Sequence, residues 1–161
     1  MQPDRGLTLI ELLIAMIILA LLSALVLPLY NRYSDRAFRT EAQADLLNCA
    51  QGLERWASVS FSYLGAADTN ADGVGDANAG AIAERVVHAT LGTTNICIPG
   101  SVRDGRYNIT VAATASQFTL TATPVGQMAG DGFMTFDDAA NQAWDKDADG
   151  SISATENTWT E

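Results

Sequence analysis

The chain has 161 residues, a length that favours one domain, and carries 9 Lys and Arg against 19 Asp and Glu, a formal net charge of −10. So acidic a chain repels polyanions, which argues against nucleic acid as a partner. Hydrophobic residues make up 48%, a figure inflated by the first thirty, and the 131 that follow suffice for one modest core. The charge is uneven: from Asp131 onward, eight acids face a single Lys146, which accounts for −7 of the −10. Arg32, Arg36, Arg39 and Arg55 are balanced by Asp35, Glu41, Asp45 and Glu54.

After a short polar start, "MQPDRG", the 21 residues from Leu7 to Leu27 are interrupted only by Thr8, Glu11 and Ser23. That run is long enough to span a hydrocarbon core of ~30 Å, and longer than the ~7–15 apolar residues of a secretory signal peptide. Beyond it, Phe38, Ala42, Leu46, Cys49, Leu53 and Trp56 recur at intervals of three or four, which predicts an amphipathic helix. Pro28 is the one breaker and is expected to kink the helix rather than end it. A single helix from Leu7 to about Ala57 would be about 75 Å long at ~1.5 Å per residue. Three arginines follow the span while only Arg5 and the amine precede it, so the positive-inside rule alone favours the opposite orientation to the one adopted below.

"RGLTLIELLIAMIILALL" resembles the amino terminus of a type IV prepilin of the short-leader class. The matching residues are Arg5, Gly6, Leu7, Thr8, Leu9, Ile10 and Glu11, with Pro28, Tyr30 and Tyr33 further on. "YNITVAATASQFTLTATPVGQMAGDGFMTFD" resembles the strand repeats of small pilins. Leu7 departs from the usual Phe at the first mature position. The resemblance implies an α+β pilin fold: one long amino-terminal helix, half membrane-spanning and half amphipathic, packed on a small antiparallel sheet of three to four strands. It implies a leader over 1–6, a membrane and filament-core helix over 7–30, and a periplasmic or extracellular domain over 31–161. It further implies cleavage after Gly6 and N-methylation of Leu7 by a prepilin peptidase. The chain would be held in the inner membrane until an assembly machine draws it into an extracellular filament, as a homopolymer or with other pilins. It also sets the orientation.

Glu11 and Pro28 are the expected assembly residues. A charge at the centre of a membrane helix costs ~2.5–3.5 kcal/mol. After cleavage, however, Glu11 lies only four residues from a positive terminus, about 6 Å along the helix at ~1.5 Å per residue. There it can meet its own amine or that of a neighbouring subunit, and in a dry filament core a paired carboxylate sets register where an unpaired one is costly.

In the second half, residues 58 to 100 read as a long connection containing a short helix, "AIAERVVHA" (81–89), with His88 a surface or packing residue. Tyr107, Ile109 and Val111 alternate with polar or small residues, as do Phe118, Leu120 and Ala122, and Phe133 to Phe136 follow as a third strand. Short loops predict an antiparallel meander, covered on one face by the stripe from Phe38 to Trp56. Cys49 lies on that stripe. A bond to Cys97 would contribute roughly 4 kcal/mol by chain entropy; two buried thiols are the alternative.

"DKDADGSISATE" matches a calcium loop: Asp145, Asp147, Asp149 and Glu156 at positions 1, 3, 5 and 12, and Gly150 at position 6. Ser151 would offer its carbonyl and Ser153 the water-mediated position. Only five residues follow Glu156, so an EF-hand exit helix does not fit. "DTNADGVGDANA" repeats the beginning with Asp68, Asn70, Asp72 and Gly73, adds the Val74 carbonyl and Asp76, and has Ala79 at position 12. That half-pattern occurs in extracellular calcium loops and as a plain Asx-turn. Calcium is the one expected cofactor, in a structural role. No nucleophile and acid–base constellation supports an enzyme. The expected function is a structural pilus subunit; the alternatives are a minor pilin for initiation, adhesion or DNA uptake, or a pseudopilin of a secretion system.

Overall fold

A computed structural model describes residues 8–90 and 92–160; Gly6 and Leu7 lie outside the described residues. The chain divides into two compact units between Ala37 and Phe38. Helix α1 (Leu9–Ser60) begins in the first and continues into the second, running through Pro28. In the first unit its apolar side chains, Leu9 through Leu22 among them, are exposed to an extent that water would not tolerate over so long a run.

The second unit is α+β. Strands β1 (Ala67–Asp68), β2 (Ala79–Ile82), β5 (Tyr107–Ala113), β6 (Phe118–Pro124), β7 (Met134–Asp137) and β8 (Gln142–Trp144) form one antiparallel sheet in the order β1-β2-β5-β6-β7-β8. Strands β3 (Arg85–His88) and β4 (Gly92–Asn95) form a separate two-stranded ribbon, followed by the single turn α2 (Gly100–Arg103). Alternation decides which face is buried. Tyr107, Ile109 and Val111 of β5 and Phe118, Leu120 and Ala122 of β6 point inward, and the intervening Thr and Asn residues point out. Over that inner face lie Ala42, Leu46, Cys49, Leu53 and Trp56 of α1, all buried, as their helical spacing predicts.

Two features lock α1 to the sheet. Cys49 and Cys97 form a disulfide. One turn on, a Cβ at Gly52 would lie 2.2 Å from the Ile96 carbonyl oxygen, so only glycine lets the helix approach there. The other is polar. Arg39 donates from Nε and Nη2 to the two oxygens of Asp131 (2.9 and 2.5 Å), and the Tyr107 hydroxyl donates to the same carboxylate (2.9 Å). Trp144 Nε1 donates to the Asp131 carbonyl, and the Arg39 guanidinium sits 4.1 Å from the Trp144 ring centroid. Arg106 pairs with Glu41 and Asp104 and stacks on Phe38.

The structure corrects the reading of residues 58 to 100. The segment 81–89 is not a helix: it holds the end of β2 and all of β3. Val86 is buried and Val87 exposed, a period of two, and two adjacent β-branched residues favour a strand. The sheet has six strands rather than three to four, because β1, β2 and β8 are only two to four residues long and are held by their neighbours rather than by any pattern of their own.

Three variants test this packing, each by thermal denaturation of the full chain in detergent. Cys49→Ala with Cys97→Ala should lower stability by about 2–5 kcal/mol. Gly52→Ala should cost about 1–3 kcal/mol through the clash with Ile96. Arg39→Ala, which leaves the half-buried Asp131 carboxylate without its counter-ion, should cost about 3 kcal/mol.

Candidate functional site

At the start of α1, Thr8 and Glu11 form a capping box. Thr8 N and Oγ1 each donate to Glu11 Oε2 (2.9 Å), and Glu11 N donates to Thr8 Oγ1 (3.3 Å). The carboxylate thus closes the first turn on itself, where the helix also presents the positive end of its dipole.

The two acidic loops share one backbone design. In the tail loop, Asp145 accepts from the N–H groups of Asp149 (Oδ1, 3.1 Å) and Gly150 (Oδ2, 3.0 Å). Asp147 accepts from Asp149 N (3.3 Å) and Asp149 from Ser151 N (2.8 Å). In the first loop, Asp68 accepts from Asn70, Ala71 and Gly73, Asn70 from Asp72 N, and Asp72 from Val74 N. Positions 4 and 6 are left-handed in both: Ala71 at φ 61° and Gly73 at 79°, Ala148 at 54° and Gly150 at 89°. Left-handed alanine is uncommon, and its recurrence at the same position makes the loops structural repeats as well as sequence repeats.

They differ in their donors. Asp145, Asp147 and Asp149 bring ligand oxygens within 4.8 Å of one another, Asp145 from a buried position. Partial desolvation among its loop neighbours raises the carboxyl of the exposed Asp147 above its ordinary value, and the charges of Asp149 and Glu156 add to it, as expected where acids crowd together. Glu156 is not in the trio. It is buried and accepts from Ser153 N (2.8 Å), Lys146 N (2.7 Å) and Asp147 N (3.4 Å), and these bonds, from Ser153 foremost, hold its carboxyl below the usual range. Ser151 Oγ bonds Asp149 and Ser153 Oγ bonds Thr155. In the first loop Asp76 is turned to Thr69, accepting from its N and Oγ1. Burial raises the Asp68 carboxyl, but the N–H groups of Gly73, Ala71 and Asn70 outweigh that and set it below its ordinary value.

Both loops are tied to the fold. Trp144, just before the tail loop, is in the Arg39 and Asp131 network and bonds the Glu156 carbonyl. The first loop ends on the β3–β4 ribbon, with Gly75 N donating to the Arg85 carbonyl and Arg85 N to the Gly73 carbonyl. His88 is exposed beside Trp56, at 6.0 Å between ring centroids, as a surface or packing residue should be.

Sequence reasoning passed over the ribbon itself. Its one signal was the Val86-Val87 alternation. Beside it, a cavity of about 480 Å³ is lined by Asn48, Glu84, Arg85, Asn95, Cys97 and Ile98.

Residues 1–27 match the family model of the prokaryotic N-terminal methylation motif. Residues 28–135 match the model described as "Type IV minor pilin ComP, DNA uptake sequence receptor". No curated protein and no solved structure matches the chain. The methylation motif and the apolar start of α1 anchor the chain in the inner membrane before pilus assembly. With two thirds of its length inside the minor-pilin model, the chain belongs to the ComP family of type IV minor pilins.

Proposed function

We propose that this minor pilin is cut after Gly6, methylated at Leu7 and incorporated with other pilins into a type IV pilus, where it takes up DNA. Processing rests on the methylation motif, and DNA uptake on the description of the family that residues 28–135 match. The net charge of −10 is a weaker objection than it first looks. Residues 28–135 hold ten acids and seven arginines, a net −3, while the last 26 residues carry −6. Most of the repulsion therefore sits outside the matched span. Binding should be strongest at low salt, as for any partner whose phosphates release counterions. The mature chain in detergent should retain a labelled DNA duplex pool in a gel shift at about 50 mM salt. Absence of retention at micromolar protein would refute the DNA reading.

The capping box sharpens the role of Glu11. Within one chain its carboxylate already has partners, so an assembly defect on removing it would report a contact to another subunit. Glu11→Val should insert in the membrane normally and be lost from sheared filaments. Normal incorporation of the variant would contradict the assembly role.

The acidic loops suit calcium. Asp145, Asp147 and Asp149 supply hard oxygen donors, and Gly150 with left-handed Ala148 makes the sharp turn that such loops require. Glu156 would hold the loop closed through its backbone bonds. Asp68, Asn70, Asp72 and the Val74 carbonyl offer a weaker set, with Asp76 directed to Thr69. Binding at ~10⁻⁴–10⁻³ M would suit millimolar extracellular calcium and add roughly 0.4–1.4 kcal/mol of stability per site at about 1 mM. Calorimetry should detect binding to the full chain, Asp145→Asn should remove the tighter site, and chelation should lower the melting temperature. A flat titration with an unmoved melting temperature would refute the calcium reading.

A further inference from the structure

We propose that the β3–β4 ribbon is the element that reads DNA, entering the major groove with Arg85, Val87, Thr93 and Asn95 on its outward face. The inference rests on the DNA-uptake reading and locates the contact. A two-stranded β-ribbon is one of the two protein elements whose width fits the major groove. In this chain the ribbon is a sheet of its own, packed on the core through Val86 and bridged at Arg85 to Val74, with its other face turned outward.

Register and pleat decide what it presents. Arg85 pairs directly with Asn95, and Val87 with Thr93. Directly opposed residues share a face, and residues two apart along a strand share it too. These four therefore form one block on one face, and Val87 is 55% exposed. The alternate residues Val86 and His88 belong to the other face, with Val86 buried and His88 beside Trp56.

The chemistry of the block is that of base-edge recognition. Arginine reads guanine through two hydrogen bonds, asparagine reads adenine the same way, and threonine and valine meet the thymine methyl group. The Arg85 guanidinium has no hydrogen-bond or ion-pair partner among the described residues, unlike those of Arg39 and Arg106. No acid lies on this face of either strand, and the one nearby carboxylate is that of Glu84, which approaches Gly73 beside the Arg85 guanidinium: a Cβ there would lie 3.3 Å from Glu84 Oε2 and 3.6 Å from Arg85 Nη1. A carboxylate there disfavours phosphate and accepts from cytosine, which suits reading of bases over capture of backbone.

The surroundings extend the surface. Asn48 and Arg55 are seven residues apart on α1 and so share one helix face. Asn48 lines the cavity with Arg85 and Asn95, and Arg55 Nη2 reaches the Ile96 carbonyl at 3.3 Å, leaving its other N–H groups for phosphate oxygens. The ribbon is also held rigidly at its root: Ile96 N donates to the Glu84 carbonyl, and Gly73 and Gly75 bond Arg85.

The test uses the mature chain in detergent and a fluorescein-labelled duplex pool with 12 randomised base pairs, enriched by successive capture on the wild-type protein. Anisotropy titrations should show Arg85→Ala and Asn95→Ala each weakening binding about fivefold or more, as expected for loss of a two-bond base contact. Re-enrichment on the Arg85 variant should lose the preference for guanine at one position. Arg103→Ala, an exposed arginine on α2, should change affinity less than twofold. If the wild type binds while the ribbon variants bind within twofold of it, the placement on the ribbon is wrong. If the wild type enriches no duplex at all, the DNA reading fails and this inference with it.

Discussion

The approach of α1 to the segment 95–98 holds the second unit together. A helix and a strand end can meet at backbone contact only where a side chain is missing, and Gly52 supplies that gap against the Ile96 carbonyl. The disulfide between Cys49 and Cys97 fixes the contact one turn away. From Ile96 the constraint passes to the Glu84 carbonyl, and so to the root of the ribbon. From the other side the first Asx-rich loop grips the same strand through Gly73 and Gly75. A two-stranded ribbon is marginal alone; here the disulfide beside its root, the loop bonds to Arg85 and the burial of Val86 hold it in place.

A second constraint works at the opposite edge of the sheet. Asp131 collects Arg39 from the helix, Tyr107 from β5 and the Trp144 indole from β8. Trp144 immediately precedes the tail loop, and Glu156 closes that loop by accepting backbone N–H groups. The acidic tail is thereby attached to the helix by hydrogen bonds and stacking. Order in either loop is transmitted to a neighbouring element: to the ribbon from residues 68–76, and to the helix and sheet edge from residues 145–156.

Much of this was legible in the residues. The spacing of Phe38 to Trp56 marked the buried helix face, and the alternation in "YNITVAA" and "FTLTATP" marked β5 and β6 with the correct face inward. These signals are local and repeated, so they survive without tertiary information. The repeat of Asp and Asn before Gly located both loops, but the left-handed Ala71 and Ala148 could not be read, because alanine carries no turn preference. The ribbon was missed for a related reason. "AIAERVVHA" fits a helical period in isolation, and only pairing of Arg85–His88 with Gly92–Asn95 makes it a strand. Net charge is a signal of another kind: it is a sum over the chain, whereas a partner meets one face, so it does not by itself decide what that face binds.

The contact proposed for this minor pilin is DNA against a ribbon braced by the helix and a loop. Nuclear magnetic resonance of the isotope-labelled mature chain in micelles, titrated with the enriched duplex, reads that contact residue by residue. Amide shifts and broadening should concentrate at Arg85–Val87, Thr93–Asn95, Asn48 and Arg55. Perturbations confined to the tail loop or to the outer threonines of β5 and β6, with the ribbon unmoved, would contradict it.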